Sequence, residues 1–410
     1  MARTLVIGKG GREHAIAWRL AKEGRDVVLA PGNWGTAQDT TFETVPCDTD
    51  NGSLIALART EHITDVIVGP EAPLCEGLVD QMPQDIHTFG PIRDCALLEA
   101  SKSFAKSMMT ACKIPTAAYA VFDDHASAMR HVQSVDFPFV IKADGLAGGK
   151  GVILPETDDE ALVALESLML RDQFGASGNR VVIEERLTGP EVSLMVMTNG
   201  RGLYVLPTSR DHKRLRDGDK GLNTGGMGAV VPSSDVGDDA VIGLVNQFIK
   251  PVLTAFGPGI SYTGFLYVGL MMTPKGPRAL EYNVRLGDPE TQALLFGLND
   301  QMGDALESLK DGFDGLSLLS GRPTCCVTLA ADGYPASPRK GDVITDTGIN
   351  TDDRHLFHAG VGEGWTTAGG RVMTAVGAGT TAESARFEAY ARAKSVRWSG
   401  QQLRSDIGLG

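Results

Sequence analysis

Phe139-Val-Ile-Lys-Ala-Asp-Gly-Leu-Ala-Gly-Gly-Lys-Gly-Val-Ile-Leu154 decides how this chain of 410 residues is read. A β-branched run carries Lys142, opens into a loop holding Gly145, Gly148, Gly149, Lys150 and Gly151, and then becomes β-like again. Without Cβ atoms in the way, successive backbone N–H groups can converge on an anion, and a lysine at each side of the loop suits a polyanion. The segment reads as a flexible phosphate cover between two strands, with a plain hairpin as the alternative. A Walker-type loop would need Ser or Thr after the lysine and a helix beyond it. Gly151-Val-Ile-Leu154 stands there instead.

Upstream, residues 4–7 read as a strand, and Gly8-Lys-Gly-Gly-Arg-Glu-His14 feeds a helix with Ala15, Ile16, Trp18 and Leu20 at apolar spacing. The turn presents backbone N–H groups at a helix N-terminus, a place for a phosphate. A dinucleotide site would want an acid at the end of the second strand to hold a ribose hydroxyl. The strand at 26–30 ends in Ala30-Pro-Gly-Asn33, so a single phosphorylated sugar fits better. A third strand at 65–68 runs into Gly69-Pro-Glu71 and makes the pattern a parallel βαβαβ sheet. Its ligand edge lies beyond the carboxyl ends of the strands. Gly8, Gly10, Gly11, Asn33 and Glu71 fall on that edge, whether as ligands or merely as turn residues.

A helix is expected over 99–115, carrying Lys102 and broken by Pro115. A small α+β insertion then runs to about residue 186, with helices near 125–134 and 158–170 and a strand at 181–185. The backbone of Glu184-Glu-Arg-Leu187 could meet an adenine edge and Glu191 a ribose; a solvated acidic turn is the alternative. Asp211-His-Lys-Arg214 and Asn223-Thr-Gly-Gly-Met-Gly228 read as polar loops between strands.

The second informative place is Arg278-Ala-Leu-Glu-Tyr-Asn-Val-Arg285, the second strand of a hairpin. Alternation turns Leu280, Tyr282 and Val284 one way and Glu281, Asn283 and Arg285 the other. A carboxylate and an amide oxygen suit Mg²⁺, and an arginine beyond them suits a phosphate sharing that charge. A solvated strand face is the alternative. Beyond residue 320 the chain reads as a separate closing unit of strands and a helix over 381–395, with turns near 341 and 360–370 and no chemistry.

A hydrophobic content of 42%, 22% charged residues and 50 glycines describe a globular chain, of two to four domains at roughly 100–200 residues each. A net charge of −13 speaks against nucleic-acid binding, which calls for a basic face. Six scattered cysteines without a Cys-x-x-Cys pair fit a reducing cytosol, and no run approaches the ~18 apolar residues of a membrane span. His355 and His358 flank strand-like residues, which disfavours a zinc site there.

Together, Val6-Ile-Gly-Lys-Gly-Gly-Arg-Glu-His-Ala15, Val68-Gly-Pro-Glu-Ala-Pro-Leu74, the Lys142–Gly151 stretch, Asp211-His-Lys-Arg214, Asn223-Thr-Gly-Gly-Met-Gly228, Thr263-Gly-Phe-Leu-Tyr267 and Arg285-Leu-Gly-Asp-Pro-Glu-Thr291 carry a resemblance. In this order, and over nearly the whole chain, they resemble the ATP-grasp ligases and, among these, the phosphoribosylamine–glycine ligase (glycinamide ribonucleotide synthetase) family. Gly148 stands where that family usually has alanine, which only loosens the loop. The resemblance implies α/β and α+β architecture: an N-terminal parallel βαβ (Rossmann-like) domain at 1–101, a central ATP-grasp domain at 102–120 and 187–318, a mobile lid at 121–186, and a C-terminal domain at 319–410.

It also implies an ATP-dependent ligation of purine biosynthesis, joining glycine to 5-phosphoribosylamine through a glycyl phosphate with Mg²⁺ or Mn²⁺. The protein would be cytoplasmic, a monomer or weak dimer, without nucleic-acid or membrane partners. By match to the family, Lys102, Lys142, Gly148, Gly149 and Lys150 meet the ATP phosphates, Glu184, Glu185 and Leu187 the adenine, and Glu191 the ribose. Glu281 and Asn283 hold the metal, while Arg285, Lys213 and Asp211 act at the reacting centre. Gly10, Gly11, Glu13, Asn33 and Glu71, with Asn223, Thr224, Gly225, Gly226 and Met227, meet the other substrates. The alternatives are another ATP-grasp enzyme, such as a carboxylase using bicarbonate, and a non-catalytic nucleotide-binding module.

Overall fold

Continuous apolar runs separated by glycine turns become a five-stranded parallel sheet at the N-terminus, as expected of strands covered on both faces. In the computed structural model, which describes residues 2–148, 151–171, 175–257 and 259–409, its strands are Arg3–Gly8, Asp26–Pro31, Glu43–Thr44, Asp65–Val68 and His87–Phe89. They stand in the order third, second, first, fourth, fifth. The order reverses at the first strand, and the crevice there is filled from within. The carboxylate of Glu13, in the first turn of helix Gly11–Lys22, accepts the Gly10 N–H at 2.7 Å. A Cβ on Gly8 or on Gly69 would lie 2.3 Å from Glu13 Cγ, so neither position can carry a side chain.

The single helix expected over 99–115 is two, Arg93–Ala100 and Lys102–Ala111. Ser101 between them is extended, and its hydroxyl accepts the Phe104 N–H, capping the second helix and ending the first. Propensity alone hides such a break, because serine also sits inside helices.

The inserted unit is a four-stranded antiparallel sheet ordered Tyr119–Phe122, Val181–Glu185, Phe139–Ala143, Val152–Ile153. Phe139, Ile141, Ala143, Val181 and Ile183 share one face and pack against helices His125–Val132 and Asp158–Met169. The two-residue period sends Lys142 and Glu184 to the other face.

In the central sheet, Glu191–Thr198 pairs with Gly264–Thr273, which pairs in turn with Gly276–Asn283. That hairpin aligns Tyr267 with Asn283, Val268 with Tyr282 and Gly269 with Glu281, then shifts so that Leu270 faces Ala279. The bulge skips Leu280, so the expected alternation holds from Glu281 onward while Leu280 departs from it. Tyr282 and Val284 are buried in the core.

The closing unit is not separate. Thr324–Ala330, Arg371–Ala378 and Arg354–His358 share a sheet with Arg210–Asp211 and Gly228–Val231 from mid-chain. Helix Glu290–Gly297, buried along its whole length, lies between this sheet and helix Gly11–Lys22. Among the described residues no helix is long and apolar enough to cross a membrane.

Candidate active site

A cleft of about 590 Å³ opens where the inserted sheet, the central hairpin, the N-terminal domain and the sheet shared with the C-terminal strands meet. Its floor is the end of the hairpin. Alternation and the turn after Asn283 bring Glu281, Asn283 and Arg285 together there. Arg285 is held by its acceptors: Asn283 Oδ1 at 3.2 Å, Glu71 at 3.3 Å and Glu99 at 2.7 Å. Burial pushes the Glu99 carboxyl up to about 7, with Arg285 pulling it down and Glu71 opposing. Glu281 faces the opposite balance. Burial raises it, but Lys213, Lys142, Lys102 and Arg285 outweigh burial and hold it down at about 2. Lys213 sits 2.9 Å from Glu191 and 3.5 Å from Glu281, a cation shared by two carboxylates.

The wall from the inserted sheet is a buried charge cluster. Glu184 lies 2.8 Å from Lys106 and 2.9 Å from Lys142, and Lys106 also donates to the Thr116 hydroxyl at 2.7 Å. Lys142 reaches the Leu280 carbonyl at 3.4 Å, joining this sheet to the hairpin. At the root of the glycine loop, Asp144 is clasped by the N-terminus of helix Lys102–Ala111. The Ser103 N–H donates to its carboxylate at 2.6 Å, the Ser101 hydroxyl at 3.1 Å, and its carbonyl accepts the Lys102 N–H at 2.9 Å. Lys102 Nζ donates to the Gly145 carbonyl at 3.0 Å.

The far wall is acidic. Burial and the neighbouring Glu290 raise the Asp211 carboxyl well above its ordinary range, and Asp211 Oδ1 is buried without a hydrogen-bond partner among the described residues. Burial likewise raises Glu290, which accepts the Ser193 hydroxyl at 3.2 Å. Arg371, from the C-terminal strands, pairs with Asp288 at 2.8 Å.

Glu71, Lys102, Lys142, Gly148, Glu184, Glu185, Leu187, Glu191, Asp211, Lys213, Asn223, Thr224, Gly225, Glu281, Asn283 and Arg285 all line this one cleft. Gly149 and Lys150 lie outside the described residues. Gly10, Gly11, Glu13, Asn33, Gly226 and Met227 do not line it. Glu13 is engaged by Gly10 and by Arg12 at 2.5 Å, and a Cβ on Gly11 would meet the Gln292 amide at 2.6 Å. Asn33 organises its own turn, accepting the Gly35 and Thr36 N–H groups and donating to the Lys9 and His358 carbonyls. Gly226, at φ +112, packs on Pro289, while Met227 is fully buried and donates its N–H to the His212 carbonyl.

The cleft also contains residues that sequence reasoning passed over: Arg12, Glu99, Lys106, Asp288, Glu290 and Arg371. Lys106 follows Lys102 by four, on the same helical face, and Asp288 and Glu290 sit inside a quoted motif, so those signals existed. None marked Arg371.

Three family descriptions match in succession: "Phosphoribosylglycinamide synthetase, N domain" over residues 2–99, "ATP-grasp (A) domain" over 100–291 and "C domain" over 324–410. A relative from Ralstonia nicotianae named phosphoribosylamine–glycine ligase is 44% identical over 416 residues, covering 99% of this chain and 98% of its own. The chain belongs to the phosphoribosylamine–glycine ligase family. Another member, from Rhodopirellula baltica, is 40% identical over 98% of this chain and 96% of its own. The solved phosphoribosylamine–glycine ligase of Thermotoga maritima superposes with a TM-score of 0.85 at 35% identity, covering 99% of this chain and all (100%) of that one. The biotin carboxylase domain of Hydrogenobacter thermophilus 2-oxoglutarate carboxylase, solved with MgADP, shares the ATP-grasp fold: TM-score 0.74 at 14% identity, over 98% of this chain and 92% of that one. The cleft has two halves, a basic one beside the glycine loop with Lys102, Lys106 and Lys142, and an acidic one with Asp211, Asp288 and Glu290 beside the Asn223–Gly228 loop.

Proposed function

We propose that this member of the family ligates glycine to 5-phospho-D-ribosylamine, converting ATP to ADP and phosphate and releasing glycinamide ribonucleotide. The observation that carries this reading is the convergence of Glu281, Asn283 and Arg285 on the same cleft as Lys102 and Lys142, beside the glycine loop. Phosphoryl transfer asks chiefly for positioning and charge stabilisation, and this arrangement offers both.

In this reading Lys102, Lys142 and the glycine loop receive the triphosphate, the Glu184–Leu187 backbone the adenine, and Glu191 the ribose. The donor set fits a hard divalent cation, Mg²⁺ or Mn²⁺. Glu281 is held ionised and Asn283 offers an amide oxygen, while among the described residues no group of three His, Cys, Asp or Glu could hold a metal. Such a pair leaves the remaining positions to phosphate oxygens and water. When bound there, the ion supplies positive charge to the transferred phosphoryl group.

The glycine carboxylate attacks the γ-phosphorus and the bond to the β-phosphate oxygen breaks, giving glycyl phosphate and ADP. Arg285 and Lys213 stabilise the charge on the moving group. The amine of phosphoribosylamine then forms the C–N bond at the acyl carbon, phosphate leaves with the C–O electron pair, and Asp211, with its raised proton affinity, takes the amine proton. Closure of the inserted sheet over the cleft keeps water from the acyl phosphate. The six free cysteines support placing the protein in the reducing cytoplasm, and we read it as a monomer or weak dimer. The deciding experiment follows ADP release with each substrate omitted in turn. Release requiring glycine and phosphoribosylamine is expected; release requiring bicarbonate instead of glycine would sink the reading.

A further inference from the structure

Gly225, inside the Asn223–Gly228 loop, is gripped at both backbone groups from the C-terminal part of the chain. Its N–H donates to Tyr334 Oη at 2.9 Å, and its carbonyl accepts from the Arg371 guanidinium. The same guanidinium donates to the Asp288 carbonyl at 2.5 Å and to the Asp288 carboxylate at 2.8 Å. Asp288 stands three residues beyond Arg285. One side chain therefore bridges the loop on the acidic half of the cleft and the turn that presents the phosphoryl-stabilising arginine.

The fit has no slack. A Cβ on Gly225 would lie 3.0 Å from Arg371 Cζ, and one on Gly370 would lie 2.4 Å from the Tyr334 ring, so the tyrosine is pressed against the residue preceding Arg371. Three acceptor groups on two segments call for a planar fork of donors. A lysine ammonium carries comparable charge but cannot hold that geometry. The nucleotide half of the cleft has separate supports: Lys102 on Gly145, Lys142 on Leu280, and Lys106 on Thr116 and Glu184.

We propose that Arg371 and Tyr334 are positioning residues for the second half-reaction, fixing Gly225 against the Asp288 turn so that the amine of a phosphorylated sugar meets the acyl carbon. The proposal rests on the ligase reading and assigns to the C-terminal strands a part in the chemistry. Neither side chain supports the phosphate-binding lysines, and Tyr334 holds only Gly225, so its effect is confined to the acceptor; Arg371 also holds the Asp288 turn, and its loss falls more heavily on the acceptor than on the first half-reaction.

The test uses the full chain with Tyr334→Phe, Arg371→Lys and Arg371→Gln. One assay supplies ATP and glycine with hydroxylamine, which captures glycyl phosphate as a hydroxamate and reads the first half-reaction alone. The other varies phosphoribosylamine in the complete reaction. Tyr334→Phe removes the single acceptor of the Gly225 N–H and should raise the KM for phosphoribosylamine about fivefold with hydroxamate formation unchanged. Arg371→Gln should raise it roughly 10- to 100-fold, with Arg371→Lys in between. Equal losses in both assays, a raised KM for ATP, or a wild-type acceptor KM in Tyr334→Phe would overturn the proposal. Should Arg371→Gln fail to fold, Tyr334→Phe decides alone, since its ring still covers Gly370. If ADP release by the wild type does not depend on glycine, the ligase reading falls and takes this proposal with it; failure of the bridge alone leaves glycine-dependent release by the wild type intact.

Discussion

Replacing Lys106 by Met tests the buried wall of the cleft. Lys106 is 1% exposed and Glu184 3%, so water screens neither charge. Burial pushes the Lys106 ammonium down to about 8, with Glu184 recovering part of that and Lys142 opposing. Glu184 sits between two ammonium groups, and their attraction outweighs burial and holds its carboxyl below the usual range. Removing one partner of a buried pair costs about 3–5 kcal/mol. Here Lys142 remains at 2.9 Å and offsets some of that cost, while the Thr116 hydroxyl loses a hydrogen bond of about 1 kcal/mol. We expect Lys106→Met to lose about 3 kcal/mol in urea unfolding followed by circular dichroism at pH 7. It should also weaken ATP binding, because Lys142 is then the sole neutraliser of Glu184 and less free to meet a phosphate. Because Glu184 keeps Lys142 in that variant, the test is a double-mutant cycle: Lys106→Met should cost at least about 1 kcal/mol less in a Glu184→Gln background, where no carboxylate is left for Lys106 to serve, than in the wild type. Equal costs of Lys106→Met in the two backgrounds would refute the argument that Lys106 serves the carboxylate.

Glu281→Gln should abolish glycine-dependent ADP release, about 100-fold or more, with unfolding nearly unchanged, since it removes an ionised metal donor; normal turnover with Mg²⁺ would contradict the assignment. Lys142→Ala should raise the KM for ATP about tenfold with a smaller stability loss than Lys106→Met, because Lys142 is less deeply buried than Lys106 and holds no side-chain hydroxyl as Lys106 holds Thr116; an unchanged ATP affinity counts against it. Acidification should destabilise the fold through His355, packed beside Trp18 and Phe357, and His358, packed beside His14 and Trp365. Burial, helped by His14, pushes His358 down to about 3 and His355 well below its ordinary value. The unfolded rings take protons near pH 6.5, so their contribution is full above that pH and is lost below it, by roughly 1.4 kcal/mol per ring at pH 5.5. Urea midpoints at pH 7.5 and 5.5 check this, and His358→Gln should lose less on acidification than the wild type; equal losses would exclude the ring.

What could be read in the sequence was whatever depends on short periods. Alternation in Arg278–Arg285 grouped Glu281, Asn283 and Arg285 because successive side chains of a strand must diverge, and it failed only at Leu280, where a bulge inserts a residue that no alternation reveals. The glycines of the first turn were legible as necessary, but not that Glu13 of the same turn occupies the space they leave. Ser101 separates two helices by one hydroxyl hydrogen bond, a margin too small for propensity to show. Arg371 was illegible for a different reason: its partner Asp288 lies 83 residues away, and nothing local distinguishes it from any strand arginine. The buried lysine–glutamate cluster needed the lid sheet and the Lys102–Ala111 helix to be docked first.

The clasp on Asp144 has a mechanical corollary. Ser101, Lys102 and Ser103 hold the root of the glycine loop, at Asp144, to the body of the protein, and Lys102 is moored a second time through Nζ to the Gly145 carbonyl. In the proposed reading an arriving triphosphate therefore meets the Lys102 cation already in place, and no catalytic cycle has to reassemble it.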